Sequence, residues 1–380
     1  MSNELDITYM RQAIALANQG QFSARPNPMV GCVIVADGQV VGQGSHLQCG
    51  QAHAEINALA QAKEKAKGAT AYVTLEPCAH TGKTGPCVDA LIEAGIQKVV
   101  IATLDPNPLV KGKGIEKLQL AGIEVVTFVL AEQARELNLG FFSRMQRQKP
   151  YVRVKIGMSL DGKTAMQNGQ SQWITSEESR TDVQQWRAKS GAIVTTLTTL
   201  VADNCRLTLR DIEGIDEIKA PLRVVIDTQL QSPVTSQLFS LPGKVVVVVS
   251  DKVPNSTINE WLDKVPSDEV ECIGLPLKDQ HIDFSVLLDW LAEYEVNDLL
   301  VEAGAEFVGG LLQNALVDEL LVYVAPKILG SNARGMADLP MIQQLEEHLK
   351  GKYLAVERIG PDLRLRVALS DFARVHHDHS

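Results

Sequence analysis

Three residues far apart in the chain, His53, Cys78 and Cys87, must meet at one point if they are to do the chemistry their types suit. One imidazole and two thiolates make three zinc ligands, which leaves the fourth tetrahedral position for water, whereas a closed structural site wants a fourth protein ligand. Zinc brings the pKa of such a water towards neutrality. Glu55, two residues beyond His53, is placed to carry a proton from that water to a leaving amine without binding the metal. Two other readings stand beside this one: a structural site closed by His80, Cys49 or His46, and a pair of unliganded cysteines. Six cysteines in 380 residues are too sparse for a secreted disulfide framework, and closely spaced thiols in a reducing compartment are more often metal ligands.

The neighbouring pattern says what must bring those ligands together. His53 opens a predicted helix over residues 54–67, a β-like run follows at 70–75, a helix at 88–94 and a second β-like run at 98–103. Upstream, residues 7–19 have helical apolar spacing with Gly20 as C-cap, and residues 29–36 and 39–44 flank Asp37-Gly38 as a hairpin. Alternating helices and strands indicate a layered α/β domain. One further helix is expected around 131–147, where Arg144, Arg147 and Lys149 gather, and Pro150 discourages its continuation. A second α/β domain then begins with the extended run 151–158 and continues with strands at 192–196, 222–226, 244–250, 299–302 and 320–324. The division is therefore expected as 1–148 and 149–380. The tail VHHDHS at 375–380 is expected to be disordered.

Charge narrows the partners. The net −10 disfavours nucleic acid, which needs a positive surface. Residues 1–149 are near neutral at +1, the stretch 151–210 carries +3, and residues 251–310 carry −11. The acidity thus excludes a nucleic-acid partner without excluding a phosphorylated small molecule. An acidic N-terminus and the lack of a run of eighteen apolar residues imply no membrane span and a cytoplasmic location.

The His-x-Glu and Pro-Cys pattern is the signature of zinc-dependent nucleobase deaminases, although eight residues separate Cys78 from Cys87 where two are usual. With it come the run Arg25-Pro26-Asn27-Pro28-Met29-Val30-Gly31-Cys32, the run from His46 through Gly50 to His53-Ala54-Glu55, the stretch 72–87 and Asp105-Pro106-Asn107-Pro108. Together these resemble the deaminase half of the bifunctional riboflavin-biosynthesis deaminase-reductases, a family that uses the eight-residue gap. The resemblance implies hydrolysis of a 2,5-diamino-6-(5-phosphoribosylamino)pyrimidin-4(3H)-one to 5-amino-6-(5-phosphoribosylamino)uracil and ammonia. His53, Cys78 and Cys87 would hold Zn²⁺ and Glu55 would move protons. Asn27, His46 and His80 are candidates for ring contacts, and Lys83 for the substrate phosphate.

Beyond residue 150, the runs Lys155 to Lys163, Ser171-Gln172-Trp173-Ile174-Thr175, Val201-Ala202-Asp203, Leu207-Thr208-Leu209-Arg210, Glu302-Ala303-Gly304 and Ala325 to Gly330 resemble the reductase half of the same family. The fold implied is an N-terminal cytidine-deaminase-like α/β/α zinc domain followed by a dihydrofolate-reductase-like α/β domain. No Gly-x-Gly-x-x-Gly follows a predicted strand, so a Rossmann dinucleotide fold is disfavoured. The resemblance implies hydride transfer from NADPH to C1′ of the ribosyl group. Gly157, Trp173, Thr199, Asp203 and Gly304 would line the NADPH site. Lys155, Ser171, Arg187, Leu207, Arg210 and Glu302 would face the substrate, with Arg187 and Arg210 suited to its phosphate.

Asn204-Cys205 stands where Asp-Pro is expected and should loosen that turn, while Glu306 is expected to point to solvent, since an inward carboxylate would repel phosphates. A homodimer through the reductase half is also implied. The competing readings are a monofunctional nucleoside or tRNA deaminase with an inactive second domain, and a zinc-stabilised binding module with no role for Glu55.

Overall fold

The computed structural model describes residues 4–79, 85–108, 110–212, 214–215 and 218–374. The chain divides into two compact units, Met1–Gln148 and Lys149–Ser380.

The first unit is built on a five-stranded sheet in the order Gln39–Ser45, Gly31–Ala36, Thr70–Leu75, Lys98–Thr103, Glu124–Thr127. The first two pairings are antiparallel and the last two parallel. Alternate residues feed opposite faces, as the two-residue period of a strand requires. Cys32, Ile34, Val73, Val99 and Ile101 pack against the helix Ala54–Ala62, whereas Val33, Val35, Tyr72, Val100 and Ala102 pack against the helix Glu4–Ala17 through Met10 and Ala13. The result is an α/β/α sandwich with two buried layers.

Close approach between layers depends on glycine. A Cβ on Gly44 would lie 2.1 Å from Ala54 O, and one on Gly42 would lie 2.2 Å from Ala58 O. The helix that begins just after His53 therefore lies directly on the hairpin backbone, which fixes its height over the sheet. The helix expected over 131–147 is broken into Ala131–Leu137 and Leu139–Arg147. At the break, the Asn138 side chain accepts from Met29 N and donates to Met29 O, both at 2.8 Å. That clamp fixes the backbone beside the Asn27-Pro28 turn.

The second unit carries a nine-stranded sheet in the order Val270–Leu275, Val245–Ser250, Leu222–Ile226, Ala192–Thr196, Asp298–Val301, Tyr151–Ser159, Glu319–Ala325, Asp362–Ala368, Lys352–Ile359. Pairings are parallel as far as Glu319–Ala325, and the last two strands add an antiparallel hairpin. Strands buried on both faces read as continuous Val, Ile and Leu runs. Val224, Val246 and Val248 face one core, and Val225, Val245, Val247 and Val249 the other. In open parallel sheets, ligands bind beyond the carboxyl ends of the strands. Thr199, Glu302 and Gly304 lie just past such ends, while Lys155 and Gly157 lie in the later half of Tyr151–Ser159. Among the described residues, no helix is long and apolar enough to cross a membrane.

Candidate functional sites

In the first unit three elements deliver the three metal-binding atoms. His53 is the extended residue preceding the helix Ala54–Ala62, Cys78 follows the strand Thr70–Leu75, and Cys87 opens the helix Cys87–Glu93. His53 Nδ1 lies 3.2 Å from Cys87 Sγ and 3.6 Å from Cys78 Sγ, and all three ligand atoms fall within 4.8 Å of one another. The Cys87 N–H donates to Cys78 Sγ at 3.3 Å. The bond from Cys87 brings the Cys78 thiol down to about 4, and the same bond together with burial pushes Cys87 far up. Two cysteine sulfurs and an imidazole converging in this way fit a zinc ion, which binds both sulfurs as thiolates.

Glu55 lies in the first turn of the same helix, 3% exposed, and burial pushes its carboxyl up to about 7. A carboxyl balanced near neutrality can both accept and return a proton. His46 packs edge-on against His53, with ring centroids 5.1 Å apart. Its Nε2 lies 3.0 Å from Asn27 Nδ2 and its Nδ1 3.2 Å from Ala52 O, while Cys49 Sγ donates to Asn27 Oδ1 at 3.5 Å. With Asn27 Oδ1 accepting, its Nδ2 donates to Nε2, so the His46 proton sits on Nδ1. Burial lowers the His46 pKa, which favours that neutral ring. Both His46 and Asn27 therefore border the metal-binding cluster, and among the described residues neither His46 nor Cys49 joins it as a fourth ligand. His80 and Lys83 lie outside the described residues.

Sequence reasoning missed Glu76. Buried two residues before Cys78, its carboxylate accepts backbone N–H groups from Asp105 at 3.3 Å, Gly112 at 3.0 Å, Gly114 at 3.0 Å and Ile115 at 3.4 Å. A Cβ on Gly114 would lie 2.2 Å from Pro77 O. Glu76 thus anchors the Asp105-Pro106-Asn107-Pro108 loop against the turn that presents Cys78. A buried acid beside a Pro-Cys turn was the available signal, but its donors lie 29 to 39 residues away.

The second unit gathers Lys155, Arg187 and Glu302. Glu302 accepts Arg187 Nε on Oε1 at 2.6 Å and NH2 on Oε2 at 3.0 Å, and Lys155 Nζ lies 3.4 Å from the same Oε2. Arg187 NH1 donates to Thr208 O at 3.3 Å. All three guanidinium nitrogens are thereby engaged inside the protein, so Arg187 serves first as the clamp on Glu302. Arg187 and Lys155 hold the Glu302 carboxyl down to about 2 against the cost of its burial. Arg210 is exposed, with Arg187 and Arg206 near enough to lower its pKa further than burial alone. Arg206 and Arg210, both exposed, suit an anionic group.

The remaining residues surround these. Ser171 Oγ donates to Asp203 Oδ1 at 3.3 Å. Thr199 N donates to Thr196 Oγ1 at 3.4 Å, which caps the helix Leu197–Asp203. Leu207 is buried in a left-handed conformation, φ 52°. Gly304 precedes the helix Ala305–Gln313, and a Cβ on Gly157 would meet Thr175 Cγ2 at 3.3 Å. The Trp173 indole is 63% exposed. The turn expected to be loosened is instead pinned. Asn204 adopts φ 42°, which asparagine tolerates, and its Oδ1 accepts Gln237 N at 3.0 Å. Glu306 is exposed in the first turn of its helix.

Comparisons with known proteins match this division of chemistry. The family model described as the RibD C-terminal domain matches residues 150–365, and the one described as the cytidine and deoxycytidylate deaminase zinc-binding region matches residues 3–103. The chain is 44% identical over 372 residues to riboflavin biosynthesis protein RibD of Escherichia coli, covering 95% of this chain and 99% of that protein. It is 43% identical over 371 residues to RibD of Haemophilus influenzae, covering 95% and 96%. Among solved structures, Acinetobacter baumannii RibD superposes with a TM-score of 0.88 at 42% identity, covering 97% of this chain and 99% of that one. A diaminohydroxyphosphoribosylaminopyrimidine deaminase/5-amino-6-(5-phosphoribosylamino)uracil reductase from Thermotoga maritima gives 0.84 at 32% identity, again covering 97% and 99%.

Proposed function

The chain belongs to the RibD family of riboflavin biosynthesis proteins, and from that premise we propose that its two units carry out consecutive steps on one phosphorylated pyrimidine. The first is hydrolytic deamination of 2,5-diamino-6-(5-phosphoribosylamino)pyrimidin-4(3H)-one. The second is reduction of the ribosyl group of the resulting uracil to a ribityl chain. The observation that carries the reading is the convergence of His53, Cys78 and Cys87 beside a buried Glu55 whose carboxyl is balanced near neutrality.

A zinc ion, which His53, Cys78 and Cys87 would hold, would supply a water activated near neutral pH. Glu55 takes a proton from the attacking water and returns it to the 2-amino group, which leaves as ammonia. Asn27 and His46 line the ring, their orientation fixed through Cys49 and Ala52.

NADPH would supply the hydride that reduces the ribosyl group at C1′, with the balancing proton taken up by the released O4′. Gly157, Trp173, Thr199, Asp203 and Gly304 would hold the cofactor. Lys155, Ser171, Leu207 and Glu302 would align the ribosyl group, Arg187 would fix Glu302, and Arg210 would meet the phosphate. The reading includes a cytoplasmic location and a homodimer through the second unit, where the edge strand Lys352–Ile359 leaves Tyr353 and Val356 exposed.

Metal removal tests the division of labour. Treatment with a zinc chelator is expected to stop ammonia release while NADPH oxidation with the deaminated uracil substrate persists. Ammonia release that survives a fully stripped protein, confirmed by elemental analysis, would contradict the assignment of His53, Cys78 and Cys87.

A further inference from the structure

Where the strand Tyr151–Ser159 ends, one carboxylate ties two loops together. Asp161 accepts from Ser159 Oγ at 2.6 Å, from Leu329 N at 3.0 Å and from Gly330 N at 2.8 Å. Ser159 Oγ in turn accepts from Lys163 N at 3.0 Å, and Leu160 N donates to Lys327 O at 2.8 Å. The Ser159 bond, followed by those from Leu329 and Gly330, brings the Asp161 carboxyl down to about 2. The side chain is therefore ionised throughout the neutral range and accepts all three donors at once. None of these bonds is needed to complete the sheet, because the strands Tyr151–Ser159 and Glu319–Ala325 already pair as far as Ser159 and Ala325.

The knot reaches Trp173. Lys327 sits between the tied positions, and its Nζ donates to Trp173 O at 3.0 Å. Arg180 places its guanidinium 4.5 Å from the centre of the Trp173 ring and donates from NH1 to Thr175 O at 3.0 Å. An indole left 63% exposed is thus held by its carbonyl and by a cation against its ring. Leu160 and Ile328, both exposed, belong to the same knot. A large aromatic ring kept in water in one orientation suits a flat heteroaromatic ligand.

We propose that Asp161 is a positioning residue of the cofactor site, which through the 326–330 segment and Lys327 fixes Trp173 as a wall for the nicotinamide dinucleotide. The inference rests on the reading of Trp173 as a cofactor contact. Asp161→Asn sets an amide N–H group against backbone donors, so at least one of the three bonds is lost. Lys327→Met removes only the link to Trp173 and leaves the Asp161 bonds in place.

The test is NADPH fluorescence titration and steady-state reduction in full-length Asp161→Asn, Lys327→Met and Trp173→Ala. Asp161→Asn is expected to raise the Kd and KM for NADPH about tenfold with kcat at saturation within about threefold of the parent. Lys327→Met should raise both in the same direction, and ammonia release should be unchanged in each. If Trp173→Ala weakens NADPH binding while Asp161→Asn and Lys327→Met stay within twofold of the parent, the proposal is overturned and the reading of Trp173 stands. If Trp173→Ala leaves NADPH binding unchanged, that reading fails and this proposal fails with it. An unfolded Asp161→Asn protein beside a Lys327→Met protein with parental Kd would mark Asp161 as purely structural, which also overturns it.

Discussion

Glu55→Gln is expected to lower kcat for ammonia release by about 10²- to 10⁴-fold, the usual contribution of a positioned acid-base group, with the zinc content of the protein unchanged. The substitution keeps the size of the side chain and removes only its ability to carry a proton. Burial pushes the Glu55 carboxyl up to about 7, so the parent enzyme can use the group in both directions near neutral pH. Elemental analysis and an ammonia assay on the same preparation check the result. Lost zinc would make Glu55 a structural member of the site, and retained turnover would remove it from the proton path.

Arg187→Met should damage the second unit instead. The arginine holds Glu302 with two short bonds, and both side chains are nearly buried, at 11% and 10% exposure. Removing one partner of such a pair leaves an uncompensated charge, at a cost of about 3 kcal/mol. That is the low end of the usual range, because Lys155 remains 3.4 Å from the carboxylate.

The pH dependence has a definite sign. The Glu302 carboxyl is held at about 2, below its ordinary value of 4.5, so the pair's contribution is complete above 4.5 and is lost as pH falls towards 2. The stability gap between parent and variant, read from urea unfolding, should therefore be widest at neutral pH and narrow in acid. NADPH oxidation should fall about 10²-fold, since Glu302 is no longer held in place, while ammonia release continues. A variant with the parent's urea midpoint at pH 7 would show that Lys155 alone suffices.

How much of this was legible in the sequence depended on how local each signal was. His53, Cys78 and Cys87 could be read because their side chains carry the chemistry themselves, whatever loops join them. The strands 70–75, 98–103, 192–196 and 222–226 could be read because each is a short run rich in β-branched and apolar residues, and each forms over those same residues.

What escaped was set by distant partners. The helical pattern of 131–147 continues through Asn138, but that side chain is claimed by Met29, 109 residues away. Nothing near Arg187 distinguishes an arginine that meets a phosphate from one already paired with Glu302, 115 residues on. Glu76 and Asp161 are likewise ordinary acids until the backbone N–H groups that converge on them are seen. Asn204 shows the converse, because the residue that departs from the expected Asp-Pro turn suits the left-handed backbone found there.

The central claim is that one chain holds two separate sites acting in order on the same molecule. It is tested most directly by counting ammonia and oxidised NADPH together as the diaminopyrimidine substrate is consumed, with Glu55→Gln run in parallel on the deaminated uracil. The account predicts one ammonia and one NADPH per substrate for the parent. It also predicts undiminished NADPH oxidation by Glu55→Gln once deamination is bypassed. Ammonia released without any NADPH consumed, or a Glu55→Gln protein unable to reduce the deaminated substrate, would contradict it.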